Sequence, residues 1–312
     1  MIKNIECLTS NYDGIPLEVL TVRPHKAPRA VLVMAHGMSE HKERYVYVME
    51  SLAKSGYACV MADMRGHGKS LMKEKDLGFF YDSGLQGVIK DLHQIVYYAK
   101  EQFPDAPVIL FGHSMGTLVA QAYMKQHDFG LDGVILSGAP CLNQAAAFAR
   151  MLTESLAGKS GRRQKSGLLD NMTIGNYEKV FKKEGRKHAW LAVNTAVSDA
   201  YEADPLSGFS FTLDGYDTLF RLMESVGDEK NWDVTKYDLP ILYIAGMEDP
   251  VIGGVRGFRD SVHAMRGHGY QRVRGKLYAG YRHEILQDYC RDEVLSDMKR
   301  WIFKEIIKRK QV

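Results

Sequence analysis

The chain is poor in the residues that would staple it or anchor it. Its four cysteines in 312 residues, Cys7, Cys59, Cys141 and Cys290, lie far apart, with no C-x-x-C pair and no histidine at ligand spacing. That excludes a disulfide framework and a structural zinc site. A surplus of one charge is also missing: 41 basic and 38 acidic residues leave a net +3, spread along the chain. No electrostatic footprint for nucleic acid results. No run approaches the roughly 18 apolar residues of a membrane span, and the first twenty residues lack the apolar core of a secretory signal. The expectation is a cytoplasmic chain without internal repeats or low-complexity tracts, folded as one elaborated α/β domain.

What is present is concentrated in Pro107 to Tyr123, PVILFGHSMGTLVAQAY. Val108 to Phe111 read as a buried strand, and Leu118, Val119, Ala122 and Tyr123 recur at helical spacing. Between them, Gly112-His113-Ser114-Met115-Gly116 matches G-x-S-x-G. A serine on so tight a strand-to-helix turn needs neighbours without side chains where strand and helix crowd it. Its hydroxyl is then exposed at the carboxyl end of a sheet, over a helix N-terminus that favours negative charge. Such a nucleophile requires an acid and a histidine later in the chain, in that order.

The flanking segments supply the sheet. Leu17–Arg23, Ala30–Ala35, Ala58–Ala62, Gly133–Ser137, Pro240–Ala245 and Gln271–Leu277 read as strands, with helices through Leu52, over 88–99, from about 255 to 265 and from about 292 to 308. The alternation predicts an α/β fold with a mostly parallel eight-stranded sheet and helices on both faces. The rhythm breaks between Pro140 and Trp232, where helical pieces at 145–156, 177–181 and 216–226 occur without a core strand. This divides the chain into a core, 1–139 and 233–312, and a helical lid, 140–232, over the sheet's carboxyl edge.

The acid falls in Gly246-Met247-Glu248-Asp249-Pro250, after a strand that follows the elbow. Asp249, before a proline that fixes the turn, is preferred to Glu248. His283, in YAGYRHE after the last strand, is the candidate base; His263 and His268 lie earlier, in and beyond a helix. The backbone N–H groups of Met38 and Met115 are the expected oxyanion donors. No metal or other cofactor is called for: His283-Glu284 opens like a zinc-protease helix, but position 287 is Gln, and Gly68-Lys69-Ser70 lacks a phosphate loop's upstream glycine. That tripeptide reads instead as a turn supporting the loop after His36-Gly37.

Across nearly its whole length the chain resembles α/β-hydrolases of the monoacylglycerol lipase and lysophospholipase group, also labelled serine aminopeptidase-like. The resemblance rests on HGMSEHKERY at 36–45, DMRGHGKS at 63–70, GHSMG at 112–116, DPL at 204–206, EDPV at 248–251 and YAGYRHEIL at 278–286. It implies hydrolysis of a single-acyl ester, with Glu40 and Arg44 matching an acid and an arginine that meet the polar glycerol end in monoacylglycerol lipases. A surface ion pair is the plainer account of those two. Thr117 stands where the family commonly has a third glycine. His113 beside the nucleophile, and Phe148 and Leu152 on an apolar lid helix, are further candidates for touching substrate. The basic run Lys159, Arg162, Arg163, Lys165 permits at most transient contact with an anionic membrane surface and otherwise reads as a solvated loop. A small ester, a thioester or an N-terminal peptide bond is the alternative substrate, and a non-catalytic binding protein the alternative class.

Overall fold

The structure is a computed structural model that describes residues 1–142 and 145–309. Short apolar runs become the strands that water never reaches. β3 (Val31–Ala35), β4 (Ala58–Ala62), β5 (Val108–His113), β6 (Gly133–Ser137) and β7 (Pro240–Gly246) are buried at every position. Continuous Val, Ile, Leu and Met suit strands covered on both faces. β8 (Arg272–Tyr278) closes one edge in parallel, while β1 (Ile2–Thr9) and β2 (Pro16–Arg23) form an antiparallel hairpin whose second strand runs antiparallel to β4. The order is β1-β2-β4-β3-β5-β6-β7-β8, the eight-stranded sheet expected. β1 was not anticipated as a strand: Ile2, Ile5 and Leu8 alternate poorly, and most of this edge faces solvent.

α1 (Val46–Lys54) and α10 (Arg291–Ile302) cover one face, joining Val48, Leu52, Leu295 and Met298 to the β3 and β4 side chains Leu32 and Cys59. α2 (Gly84–Gln102), α3 (Met115–His127) and α9 (Gly254–Gly267) cover the other through Val88, Leu92, Leu118, Phe258 and Val262. Among the described residues no helix is long and apolar enough to cross a membrane.

Between β6 and β7 lie α4 (Ala145–Ser160), α5 (Gly167–Met172), α6 (Ile174–Val180), α7 (Thr195–Ala203) and α8 (Leu213–Gly227). α5 and α7 escaped the sequence reading because each is short and mostly polar outside its few contacts. α8 returns to the core, placing Leu213, Tyr216, Leu219 and Phe220 against the side of the sheet that α2 and α3 cover. Of the basic run, Arg162 pairs with Asp82, Asp214 and Asp217, and Arg163 with Asp76. Those two arginines hold the segment to its neighbours.

One buried charge pair ties the turn after β4 to the loop after β3. The Lys42 ammonium donates to Asp63 and Glu18, both at 2.7 Å, and Asp63 also accepts the Lys42 and Lys69 backbone N–H groups, each at 2.8 Å. Gly68 has φ +50°, and a Cβ there would sit 2.2 Å from the Asp63 carboxylate, so Gly68-Lys69-Ser70 does shape this support. Lys42 and Asp63 have no solvent exposure. Removing one partner strands the other charge, so Lys42→Met should lower the unfolding free energy by about 3–5 kcal/mol, read from urea denaturation.

Candidate active site

Ser114 sits where β5 ends and α3 begins, at φ +51° and ψ −119°, a conformation most side chains avoid. Two glycines make the turn possible. A Cβ at Gly112 would lie 2.4 Å from the Gly116 carbonyl oxygen, and one at Gly116 would lie 2.2 Å from the Ala35 carbonyl oxygen. The Ser114 N–H donates to Ser137 O at 2.9 Å, pinning the turn to β6. The N–H of Met115, at the first position of α3, has no partner within the helix.

Asp249 and His283 converge at the same edge of the sheet. His283 Nδ1 lies 2.8 Å from Asp249 Oδ2, and both side chains are buried. Glu248, the competing acid, is exposed, whereas Asp249 is held by its turn and accepts the Val251 N–H at 2.8 Å. Burial favours a neutral imidazole, but the Asp249 carboxylate and its hydrogen bond outweigh it and raise the His283 pKa above the ordinary value. His113 and Trp190 flank this ring, with centroids 4.7 and 5.1 Å away. Among the described residues no carboxylate is hydrogen-bonded to His113; burial and the charge of His283 push its pKa down to about 4, leaving it neutral near pH 7.

Ser114, His283, His113 and Met115 line a cavity of about 190 Å³ together with Gly37, Met38, Glu40 and Glu284. The opposite wall is apolar: Leu118, Ala145, Ala146, Ala149, Leu219, Phe220 and Met223. Of the expected substrate contacts, Glu40 and His113 line the cavity beside Ser114, but Arg44, Phe148 and Leu152 are not among its lining residues. Phe148 is 64% exposed, because α4 turns Ala146 and Ala149 inward and leaves position 148 on the outer side. Leu152 packs against the core instead. Nor are Glu40 and Arg44 a surface pair: Glu40 is buried, and Arg44 Nη1 donates to it at 2.7 Å while both Arg44 terminal nitrogens also bind Glu284, at 2.7 and 2.6 Å. Trp190, Tyr201 and Glu284 were missed as site residues. Only Glu284, adjacent to the histidine, had a signal in the sequence.

The loop after β3 approaches Ser114 closely, since a Cβ at Gly37 would lie 3.2 Å from Ser114 Cβ. Its shape is set by polar contacts at every turn. The Gly37 N–H donates to Glu40 Oε1 at 2.5 Å, His36 Nε2 accepts the Met64 N–H at 2.9 Å, and Ser39 stands at φ +55°. Ser39 is gripped by the helical segment: its carbonyl accepts Tyr201 Oη–H at 3.0 Å and the Gly208 N–H at 2.9 Å, and its Oγ donates to Phe209 O at 2.6 Å. His41 bridges Glu43 and Asp204, both at 2.6 Å. Among the described residues the Met38 N–H donates to no protein acceptor. His41, Glu43 and Asp63 place donor atoms within 4.8 Å of one another, but the Lys42 ammonium already binds Glu43 and Asp63 there, which disfavours a metal ion.

The segment from Glu184 to Asn194 closes over the histidine. The Glu284 N–H donates to Leu191 O at 2.7 Å and Arg282 Nη1 to Ala189 O at 2.6 Å, while Asp288 accepts the Val193 and Asn194 N–H groups at 2.7 and 3.0 Å. Arg282 also pairs with Glu184.

A family model described as serine aminopeptidase, S33, matches residues 26–289. The chain is 26% identical over 283 residues to a monoacylglycerol lipase of Mycolicibacterium smegmatis, covering 91% of both proteins. To Phospholipase YtpA of Bacillus subtilis it is 38% identical over 116 residues, 37% of this chain and 42% of that one. The fold superposes on a highly thermostable carboxyl esterase from Bacillus coagulans in complex with glycerol with a TM-score of 0.89, at 25% identity and covering 98% and 99% of the two chains.

Burial pulls the His41 pKa down, but hydrogen bonds donated to the Glu43 and Asp204 carboxylates prevail and raise it. The stability this bridge contributes is complete below the unfolded-state value near pH 6.5 and lost as pH rises through the folded-state value. Urea unfolding of Asp204→Asn between about pH 6 and pH 9 should show a flatter decline than the parent chain.

Proposed function

The chain belongs to the serine aminopeptidase S33 family of α/β-hydrolases, and we propose that it is a carboxylic-ester hydrolase acting on esters with one acyl chain, monoacylglycerols or lysophospholipids, through an acyl-enzyme on Ser114. The observation that carries the proposal is the His283–Asp249 hydrogen bond of 2.8 Å in the wall of the cavity that Ser114 also lines. In this reading His283 takes the Ser114 proton as Oγ attacks the acyl carbon, and Asp249 holds Nδ1–H so that Nε2 is the accepting nitrogen. The Met38 and Met115 amides receive the oxyanion, collapse of the tetrahedral adduct expels the alcohol with a proton from His283, and water repeats the sequence to release the acid. The apolar wall from Leu118 to Met223 takes the acyl chain.

Residues 140–232 act as a lid in two parts. α4 to α6 face the acyl side, and the stretch around Trp190, Tyr201 and Phe209 braces the histidine and the loop bearing Met38. The alternative, cleavage of an N-terminal peptide bond, has the family's description in its favour.

Ser114→Ala should lose monoacylglycerol hydrolysis and fluorophosphonate labelling together; retained turnover refutes the assignment, and faster turnover of aminoacyl arylamides by the parent chain refutes the lipid ester. Because His283 must be neutral to accept a proton and its pKa is raised, kcat/KM should fall on acidification with a midpoint above about 6.5. Asp249→Asn should lower kcat by about 10⁴-fold, measured with a short p-nitrophenyl ester.

A further inference from the structure

Resting on that reading, we infer that the alcohol side of this site selects an uncharged, hydrogen-bond-donating alcohol and rejects a phosphate-bearing one, with Glu284 as the specificity-determining residue. The side in question is fixed by the reaction: the departing alcohol takes its proton from His283, so it leaves past the residues that surround that ring. Those residues are the apolar face of Trp190 and three polar side chains that line the same cavity, Glu284, next in the chain, Glu40 and His113.

The charges there are one-sided. Among the described residues lining the cavity there is no lysine and no arginine, but there are two carboxylates. Arg44, which binds both, does not line the cavity; its guanidinium is spent on Glu40 and bidentately on Glu284, behind them and over the Tyr201 ring at 4.8 Å. One cation against two carboxylates leaves a negative excess, and the imidazolium formed at His283 is already matched by Asp249. Nearby His113 is neutral and offers at most one N–H.

Hydrogen-bond capacity points the same way. A carboxylate has about four acceptor positions. Glu40 uses three, for Gly37 N–H, Tyr45 Oη–H and Arg44, and Glu284 uses two, both for Arg44. What remains accepts and cannot donate. A hydroxyl can satisfy it, whereas a phosphate brings acceptors to acceptors and negative charge to negative charge in a buried place, with no cation to offset the loss of water. The acyl end of a lysophospholipid fits this cavity as well as that of a monoacylglycerol; its head does not.

The test uses three uncleavable alkyl ethers of one chain length: a 1-alkylglycerol, the same ether bearing a phosphomonoester, and that phosphate as its neutral dimethyl triester, which keeps the bulk and removes the charge. Binding is measured by calorimetry, independently of turnover. The phosphomonoester should bind at least about tenfold more weakly than the 1-alkylglycerol, with the triester, which lacks the charge but also the donating hydroxyl, in between, and in Glu284→Gln the gap between phosphomonoester and triester should narrow. Equal or tighter binding of the phosphomonoester overturns the inference, as does a triester as weak as the phosphomonoester, which would make the exclusion steric. The parent chain alone decides these points if the variant does not fold. Absence of Ser114 labelling by a fluorophosphonate would instead defeat the proposed hydrolase while leaving the order of binding to be read.

Discussion

The approach of one backbone to another at Gly116 is the constraint on which the site depends. α3 enters so close to the end of β3 that the carbonyl oxygens of Ala35 and His36 would lie 2.2 and 2.6 Å from any Cβ at that position. Nothing larger than glycine permits the crossing, and the crossing holds Ser114 in its strained turn. The same contact brings the start of α3 beside the loop after β3, so the amides of Met115 and Met38 are set by one packing event. Thr117, where the resemblance implies a third glycine, is accommodated, its hydroxyl donating to Ser114 O at 2.7 Å.

Around that fixed point the polar groups are satisfied in layers. His36 and His67 are buried and neutral, both pushed down to about 3 by loss of water, and act as backbone clamps: His36 accepts from Met64 N–H, and His67 from Ser39 N–H at 3.3 Å. Histidine suits this place because a neutral ring can donate at one nitrogen and accept at the other without burying a charge. The loop that emerges is thus held from below by the strand ends and from above by Tyr201, Gly208 and Phe209.

The central strands, and the turns at one edge of the sheet that carry Ser114, Asp249 and His283, were legible in the sequence because each is written locally. Continuous apolar runs identify the inner strands, and glycine or proline marks each turn that carries a polar side chain. What was illegible depends on rotation or on long-range contact. Phe148 and Ala149 differ by one step of a helix, and composition cannot say which of them faces inward. Trp190 reaches His283 from 93 positions away with no motif to announce it. Arg44 shows a third limit: its match to a family position was plain, but its two carboxylate partners, one of them 240 residues distant, decide that it stays behind the cavity wall.

The hydrogen bonds between the Ala189–Asn194 stretch and the Arg282–Asp288 loop join parts of the chain made far apart in time. During synthesis the helical segment is complete well before the loop that follows β8 exists, so its inner surface waits without a partner. The histidine's surroundings therefore wait on the part of the chain that is made after β8. The enclosure of the imidazole thus rests on contacts of long sequence separation, a kind that is slow to form.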